Sequence, residues 1–173
     1  VLFGHSEGTL NISRLVARGS VGPKGIMFLG GLTESAAGIL HWQIAERPFE
    51  LMMAMDANHD DILTNDEIKA AYPNSFIKNL YPLDSLLSAS GSLPKSEVQN
   101  GFEAIYSAAK TAALQHADSD PYLMGGLKFS TYKWWKRWFL DNVSVLENLK
   151  NFEGPIEYHN GDIDSQTPGI REL

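Results

Sequence analysis

The sequence predicts an α/β protein in which a short parallel sheet is interrupted by a long, mainly helical block. Three observations predict it. An apolar run, Val1-Leu2-Phe3, feeds into Gly4-His5-Ser6-Glu7-Gly8, and a helical pattern of Leu10, Ile12, Leu15 and Val16 follows. A second run, Ile26-Met27-Phe28-Leu29, ends at Gly30-Gly31, and a third, Pro155-Ile156-Glu157-Tyr158-His159, comes only near the far end. Between them, from about 35 to 152, apolar residues recur at helical spacing, broken by loops. The uninterrupted run at 26–29 suits a parallel strand covered on both faces.

The order strand, sharp turn, helix gives the first motif, Gly-x-Ser-x-Gly, its chemical meaning. A serine hydroxyl is a weak nucleophile until a base takes its proton. A strained turn holds Ser6 clear of the sheet top. Gly4 and Gly8 are expected because a Cβ at either place would collide with the neighbouring strand or helix. The N–H of Glu7, just after the nucleophile, is the first candidate donor to an oxyanion. At these residues the chain resembles the α/β-hydrolase family. His5 and Glu7 lie inside the motif, but neighbours in such a turn project differently, so both side chains are expected to pack or face solvent.

The resemblance implies part of an α/β-hydrolase sheet with an inserted helical cap. Residues 1–34 form a core segment, 35–152 the cap, and 153–173 the return to the core. Asn160-Gly161-Asp162-Ile163-Asp164-Ser165-Gln166-Thr167-Pro168 is similar to the segment after the family's seventh strand, Gly-x-x-Asp with a proline four residues on. The carry-over makes Asp164 the triad acid, with Asp162 as runner-up and Glu34 as a further alternative. Such a carboxylate fixes a histidine's tautomer and stabilises its charged form. No histidine occupies the expected place. His41, His59 and His116 fall in the cap segment, while His5 and His159 adjoin the two motifs on the wrong connections. Only three residues precede the elbow, so the chain reads as a piece of a longer hydrolase. On that expectation a missing part of the same hydrolase supplies the base and second oxyanion donor, and the piece alone is inactive.

Within the cap segment, Ser35 is positioned to cap a helix carrying Ile39, Leu40 and Trp42, and Pro48 to open a second with Phe49, Leu51, Met52 and Met55. A third runs from near Pro94 to His116, with Val98, Phe102, Ile105, Tyr106 and Ala109 on one stripe. Ser130 is expected to cap a fourth, bearing Trp134, Trp135, Trp138 and Phe139. Aromatics at that spacing build a core with Lys133, Lys136 and Arg137 on the wet side; membrane contact is the lesser reading, because one short helix offers little anchoring area.

The segment Asp56-Ala57-Asn58-His59-Asp60-Asp61-Ile62-Leu63-Thr64-Asn65-Asp66-Glu67 resembles an EF-hand calcium loop. Calcium takes about seven oxygens, which such loops supply from positions 1, 3, 5, 7, 9 and 12. Here those are Asp56, Asn58, Asp60, the carbonyl of Ile62, Thr64 and a bidentate Glu67. Asp61 departs from the pattern, standing where glycine makes a left-handed turn, at a cost of about 1 kcal/mol. His59 occupies a non-ligand position, and no second good loop is evident. A single structural calcium site tying two cap helices together is the expectation.

A net charge of −7 without a basic run argues against a nucleic-acid surface. There is no cysteine, hence no disulfide or thiol chemistry. The cellular location stays open. The implied activity is hydrolysis of a small-molecule or acyl substrate, a carboxylic ester, thioester or amide, through an acyl-enzyme on Ser6. The alternative is a non-catalytic calcium-binding or interaction module on a hydrolase-derived scaffold. Aspartate-nucleophile chemistry is disfavoured because serine holds the elbow position.

Overall fold

The computed structural model describes residues 1–121 and 130–161. In chain order the elements are β1 (Leu2–His5), α1 (Glu7–Ala17), β2 (Ile26–Leu29), α2 (Ala36–His41), α3 (Arg47–Met53), β3 (Ile62–Thr64), α4 (Asn65–Ala71), β4 (Ser92–Pro94), α5 (Lys95–Gln115), α6 (Tyr132–Leu140), α7 (Val145–Leu149) and β5 (Ile156–His159). The chain is therefore mixed α/β, with a small and mostly parallel complement of strands. It divides into two compact units, one from the described parts of 1–40 and 113–173, the other from 41–112. The division differs from the expected helical segment of 35–152, because α6 and α7 fold with the sheet.

In the first unit β1, β2 and β5 form a parallel sheet in the order β1-β2-β5. Gly4 is level with Phe28 and Tyr158, and His5 with Leu29 and His159. Parallel neighbours need a crossover, and α1 supplies it between β1 and β2. This helix buries Thr9, Leu10, Ile12 and Ser13. It stops at Gly19, whose φ of 66° suits the left-handed residue that closes a helix. Gly19 N donates to Val16 O at 2.9 Å and Ser20 N to Leu15 O at 3.0 Å, satisfying two terminal carbonyls.

Leu10, Ile12, Ile26, Phe28, Val145 and Leu149 belong to one buried cluster, so α7 packs on α1 and β2 despite its distance in sequence. Each such side chain stabilises by about 1.5–3 kcal/mol relative to exposure. Polar contacts add to the seam: Asn148 Nδ2 donates to Ser13 Oγ at 3.2 Å, and Arg14 pairs with Asp141. The expectation that β2 is covered on both faces is not met. Ile26 and Phe28 are buried, but Leu29 is 45% exposed, so β2 alternates as a half-buried strand does.

Two local expectations meet different outcomes. Ser35 Oγ accepts Gly38 N at 3.0 Å and holds the start of α2. Ser130 does not cap α6. Thr131 takes that position with an extended backbone, and Ser130 Oγ instead accepts Trp135 Nε1 at 3.1 Å. Tyr132 and Phe139 are buried and the three α6 tryptophans half-buried, which is packing rather than a free aromatic face. Among the described residues no helix is long and apolar enough to cross a membrane.

In the second unit a π-helical turn, Trp42–Glu46, leads into α3. Strand β3 pairs antiparallel with β4, Leu63 directly opposite Leu93. Met52, Met55, Leu63, Ile68, Leu86 and Val98 contribute to a second buried cluster. Leu63 is fully buried in this core and Leu93 packs against it partly buried, and a helix leaves each strand immediately, α4 from β3 and α5 from β4.

Candidate functional site

Ser6 joins β1 to α1 with φ 51° and ψ −125°. An L-residue avoids this region, and holding one there costs on the order of 1–3 kcal/mol. Surrounding bonds over-determine the conformation. Ser6 N donates to Leu29 O at 3.2 Å, and Thr9 donates to Ser6 O from both N, at 3.0 Å, and Oγ1, at 2.8 Å. Thr9 Oγ1 in turn accepts Leu32 N at 3.1 Å, so one fully buried hydroxyl ties the elbow to the segment after β2. Nothing in the apolar pattern marks Thr9; its spacing three residues after the serine is the only local signal.

Glycine is needed at one end of the motif only. A Cβ on Gly4 would stand 2.9 Å from Ile12 Cδ1 and 3.2 Å from the carbonyl of Gly8. A Cβ on Gly8 meets nothing within 4 Å, which corrects the expected collision there. The close approach is Gly8's backbone against Gly4, and the direction of Gly8's own missing Cβ is open.

The Ser6 side chain is exposed and caps nothing. The N–H of Glu7 heads α1, where helical N–H groups lack intrahelical partners. Its carboxylate accepts Trp134 Nε1 at 3.2 Å and is thereby tied to α6. Among the described residues no histidine hydrogen bonds to Ser6. His5 and His159 end the outer strands level with Leu29; His116 stacks on Tyr132 at 4.0 Å; His41 lies between Glu46 and Glu103 in the second unit. Glu34 is exposed. Asp162 and Asp164 lie outside the described residues.

The second constellation is the loop between α3 and α4. It places Asp61 at φ 61°, the left-handed turn expected at that position, and His59 at φ 58° on the exposed side. Its acceptors are turned inward on the loop's own donors. Asp61 N donates to Asp56 Oδ2 at 3.0 Å, Asp60 N to Asn58 Oδ1 at 3.1 Å, and Ile62 N to Asp60 Oδ1 at 2.9 Å. Glu67 reaches back across the loop: Oε1 accepts Ala57 N at 3.1 Å, while Oε2 accepts Thr64 N at 2.9 Å and Thr64 Oγ1 at 2.7 Å. With Glu67 N on Thr64 Oγ1 this is a reciprocal cap on α4. These donors hold the Glu67 carboxyl below its usual range, the Thr64 N–H first and its hydroxyl next.

Asp56 is 3% exposed, and its Oδ1 is buried without a hydrogen-bond partner. A carboxylate oxygen left so is costly unless a cation or donor meets it. Asp56, Asn58, Asp60, the Ile62 carbonyl, Thr64 and Glu67 are hard oxygen donors of the kind calcium takes. Among the described residues, however, no three His, Asp or Glu side chains converge closely enough to enclose a metal. The donor chemistry and the orphaned Asp56 oxygen fit a hard dication, while oxygens of Asn58, Asp60 and Glu67 accept the loop's own donors.

No protein-family model, characterised protein or solved structure matches the chain.

Proposed function

We propose that the chain carries the nucleophile of a serine hydrolase of the α/β-hydrolase kind, together with a calcium-binding helical cap. The observation that carries this reading is the backbone of Ser6, strained at φ 51° between a parallel strand and a helix start. With ψ at −125° Ser6 also lies outside the left-handed helical region, in a conformation that ordinary turns leave to glycine and that suits a nucleophile held clear of its sheet. The order β1-β2-β5, with a long insertion between β2 and β5, supports the same reading. Ser6 Oγ attacks the carbonyl carbon of an ester, thioester or amide, and the acyl-enzyme is released by water. The Glu7 N–H meets the oxyanion at the helix start. On this reading Asp164 orients a histidine that is none of the five in this sequence.

Asp56, Asn58, Asp60, the Ile62 carbonyl, Thr64 and Glu67 would hold one calcium ion, the buried Asp56 Oδ1 being the observation in its favour. When bound, the ion links α3 to α4 and stabilises the folded state by mass action.

One observation favours the second reading, a non-catalytic calcium-binding or interaction module: Ser6 has no histidine partner among the described residues. Fluorophosphonate labelling of the full-length protein and its Ser6→Ala variant separates the two. Labelling of the unaltered protein alone is expected; labelling in both or in neither speaks against catalysis through Ser6.

A further inference from the structure

The pairing of Leu63 with Leu93 relates two stretches of chain by an offset of 30 residues. The offset extends well beyond the leucines. Asn65 N donates to Gly91 O at 2.9 Å, and Lys95 N donates to Asp61 O at 2.9 Å, each the counterpart of the other. Asp61 and Gly91, equivalent under the offset, both have left-handed backbones, at φ 61° and 89°. Asp60 N donates to Asn58 Oδ1 at 3.1 Å, and Ser90 N donates to Ser88 Oγ at 3.2 Å. Helices α4 and α5 start one residue after the paired strands, and buried Ile68 and Val98 follow at matching places.

The chemistry of the two loops differs where the backbone does not. Residues 56–67 hold five carboxylates and no Lys or Arg; residues 86–97 hold one of each sign, Lys95 and Glu97. Buried Leu86 stands where Asp56 stands. It offers no oxygen, so Gly91 N goes to Ser88 O at 3.2 Å instead of to a side chain. Pro94 replaces Thr64 and has neither N–H nor hydroxyl. Glu97 therefore lacks the donors that draw Glu67 inward, and its carboxylate is exposed with no hydrogen bond among the described residues. Lys95 Nζ instead crosses to Asp61 Oδ1 at 2.9 Å.

We infer that residues 86–97 form a second loop of the same construction, stripped of its ligands, which takes no cation and braces the loop at 56–67 through the Leu63–Leu93 bridge and the Lys95–Asp61 contact. This rests on the calcium reading of the first loop. A hard dication needs six to eight oxygens with several charges among them. The second loop offers two serine hydroxyls, a carbonyl and one carboxylate, while the first offers the buried, unpartnered Asp56 Oδ1 besides.

Calorimetric titration of calcium chloride into the metal-free full-length protein tests the asymmetry. One ion per chain is expected; Glu67→Gln should weaken binding by about tenfold or more, and Glu97→Gln should leave it unchanged. Two ions per chain, or equal losses in the two variants, would overturn the inference. The bracing is read separately in chelator, from melting temperatures of Leu63→Ala, Leu93→Ala and the double variant, with the exposed pair Asp61→Asn and Lys95→Gln as a milder second cycle. Coupled losses are expected, and additive losses in both cycles would overturn the brace. A protein that binds no calcium yet shows coupled losses would sink the calcium reading and leave the brace supported.

Discussion

The backbone of Gly8 passes so close to Gly4 that a Cβ on Gly4 would stand 3.2 Å from its carbonyl oxygen, while a Cβ on Gly8 meets nothing within 4 Å. Two glycines of one motif are thus there for different reasons. Gly4→Ala pushes the strand end against the first turn of α1 and should cost about 1–3 kcal/mol, as overpacking does. Gly8→Ala removes a flexible residue from a helix with room for the methyl and should stabilise by about 0.4–1 kcal/mol. Urea unfolding followed by tryptophan fluorescence checks both. Equal losses in the two variants would contradict the geometry.

Ser6 is the residue on which stability and chemistry pull in opposite directions. Glycine adopts φ 51°, ψ −125° freely, whereas alanine is as hindered there as serine. Ser6→Gly should therefore raise unfolding stability by about 1 kcal/mol or more, and Ser6→Ala should leave it nearly unchanged. Both remove the hydroxyl. A loss of stability in Ser6→Gly would mean that the elbow is not strained.

Acid should reveal the Glu67 contacts. The Thr64 N–H and hydroxyl, with the Ala57 N–H, hold this carboxyl below its ordinary value of 4.5. The folded state then keeps the proton off where the unfolded chain accepts it. Glu67's contribution is present in full above the ordinary value and is lost as pH falls through the lowered one. Stability measured against pH should thus decline less steeply in acid for Glu67→Gln, with Thr64→Val intermediate. A remaining decline is expected from Asp118, whose carboxyl is held low by its hydrogen bond to Lys136 and that lysine's charge. An unchanged slope in Glu67→Gln would show that the carboxylate is not engaged by the loop.

What was legible in the sequence was short-range. The bounds of β2, the elbow between a strand and a helix, the left-handed turn at Asp61 and the Ser35 cap all depend on a few neighbouring residues. What was not legible depends on partners far along the chain. Thr9 reads as an ordinary helical threonine until Ser6 and Leu32 are seen on either side of its hydroxyl. Helix α7 reads as part of a helical block until Val145 and Leu149 are found with Leu10 and Phe28. The second loop escapes a search for acidic ligands because Leu86 and Pro94, at the places of Asp56 and Thr64, carry no side-chain oxygen. Gly91, Leu93 and Glu97, spaced as Asp61, Leu63 and Glu67 are, were the surviving signal.

The equivalence of positions 61 and 91 yields a prediction with opposite signs. Asp61 bears a side chain in a left-handed conformation at a cost of about 1 kcal/mol, partly offset by its contact with Lys95. Both partners of that contact are about half exposed, at 65% and 49%, so it contributes about 0.2–1 kcal/mol. Asp61→Gly removes the hindrance and the contact together, and in chelator its stability should be unchanged or higher by a few tenths of a kcal/mol. Gly91→Ala adds hindrance at φ 89° where a Cβ meets nothing within 4 Å. Its cost, about 1 kcal/mol or more, is then purely conformational. Urea titrations of the two metal-free variants decide it, and a Gly91→Ala protein as stable as the unaltered one would remove the left-handed turn on which the equivalence of the loops depends.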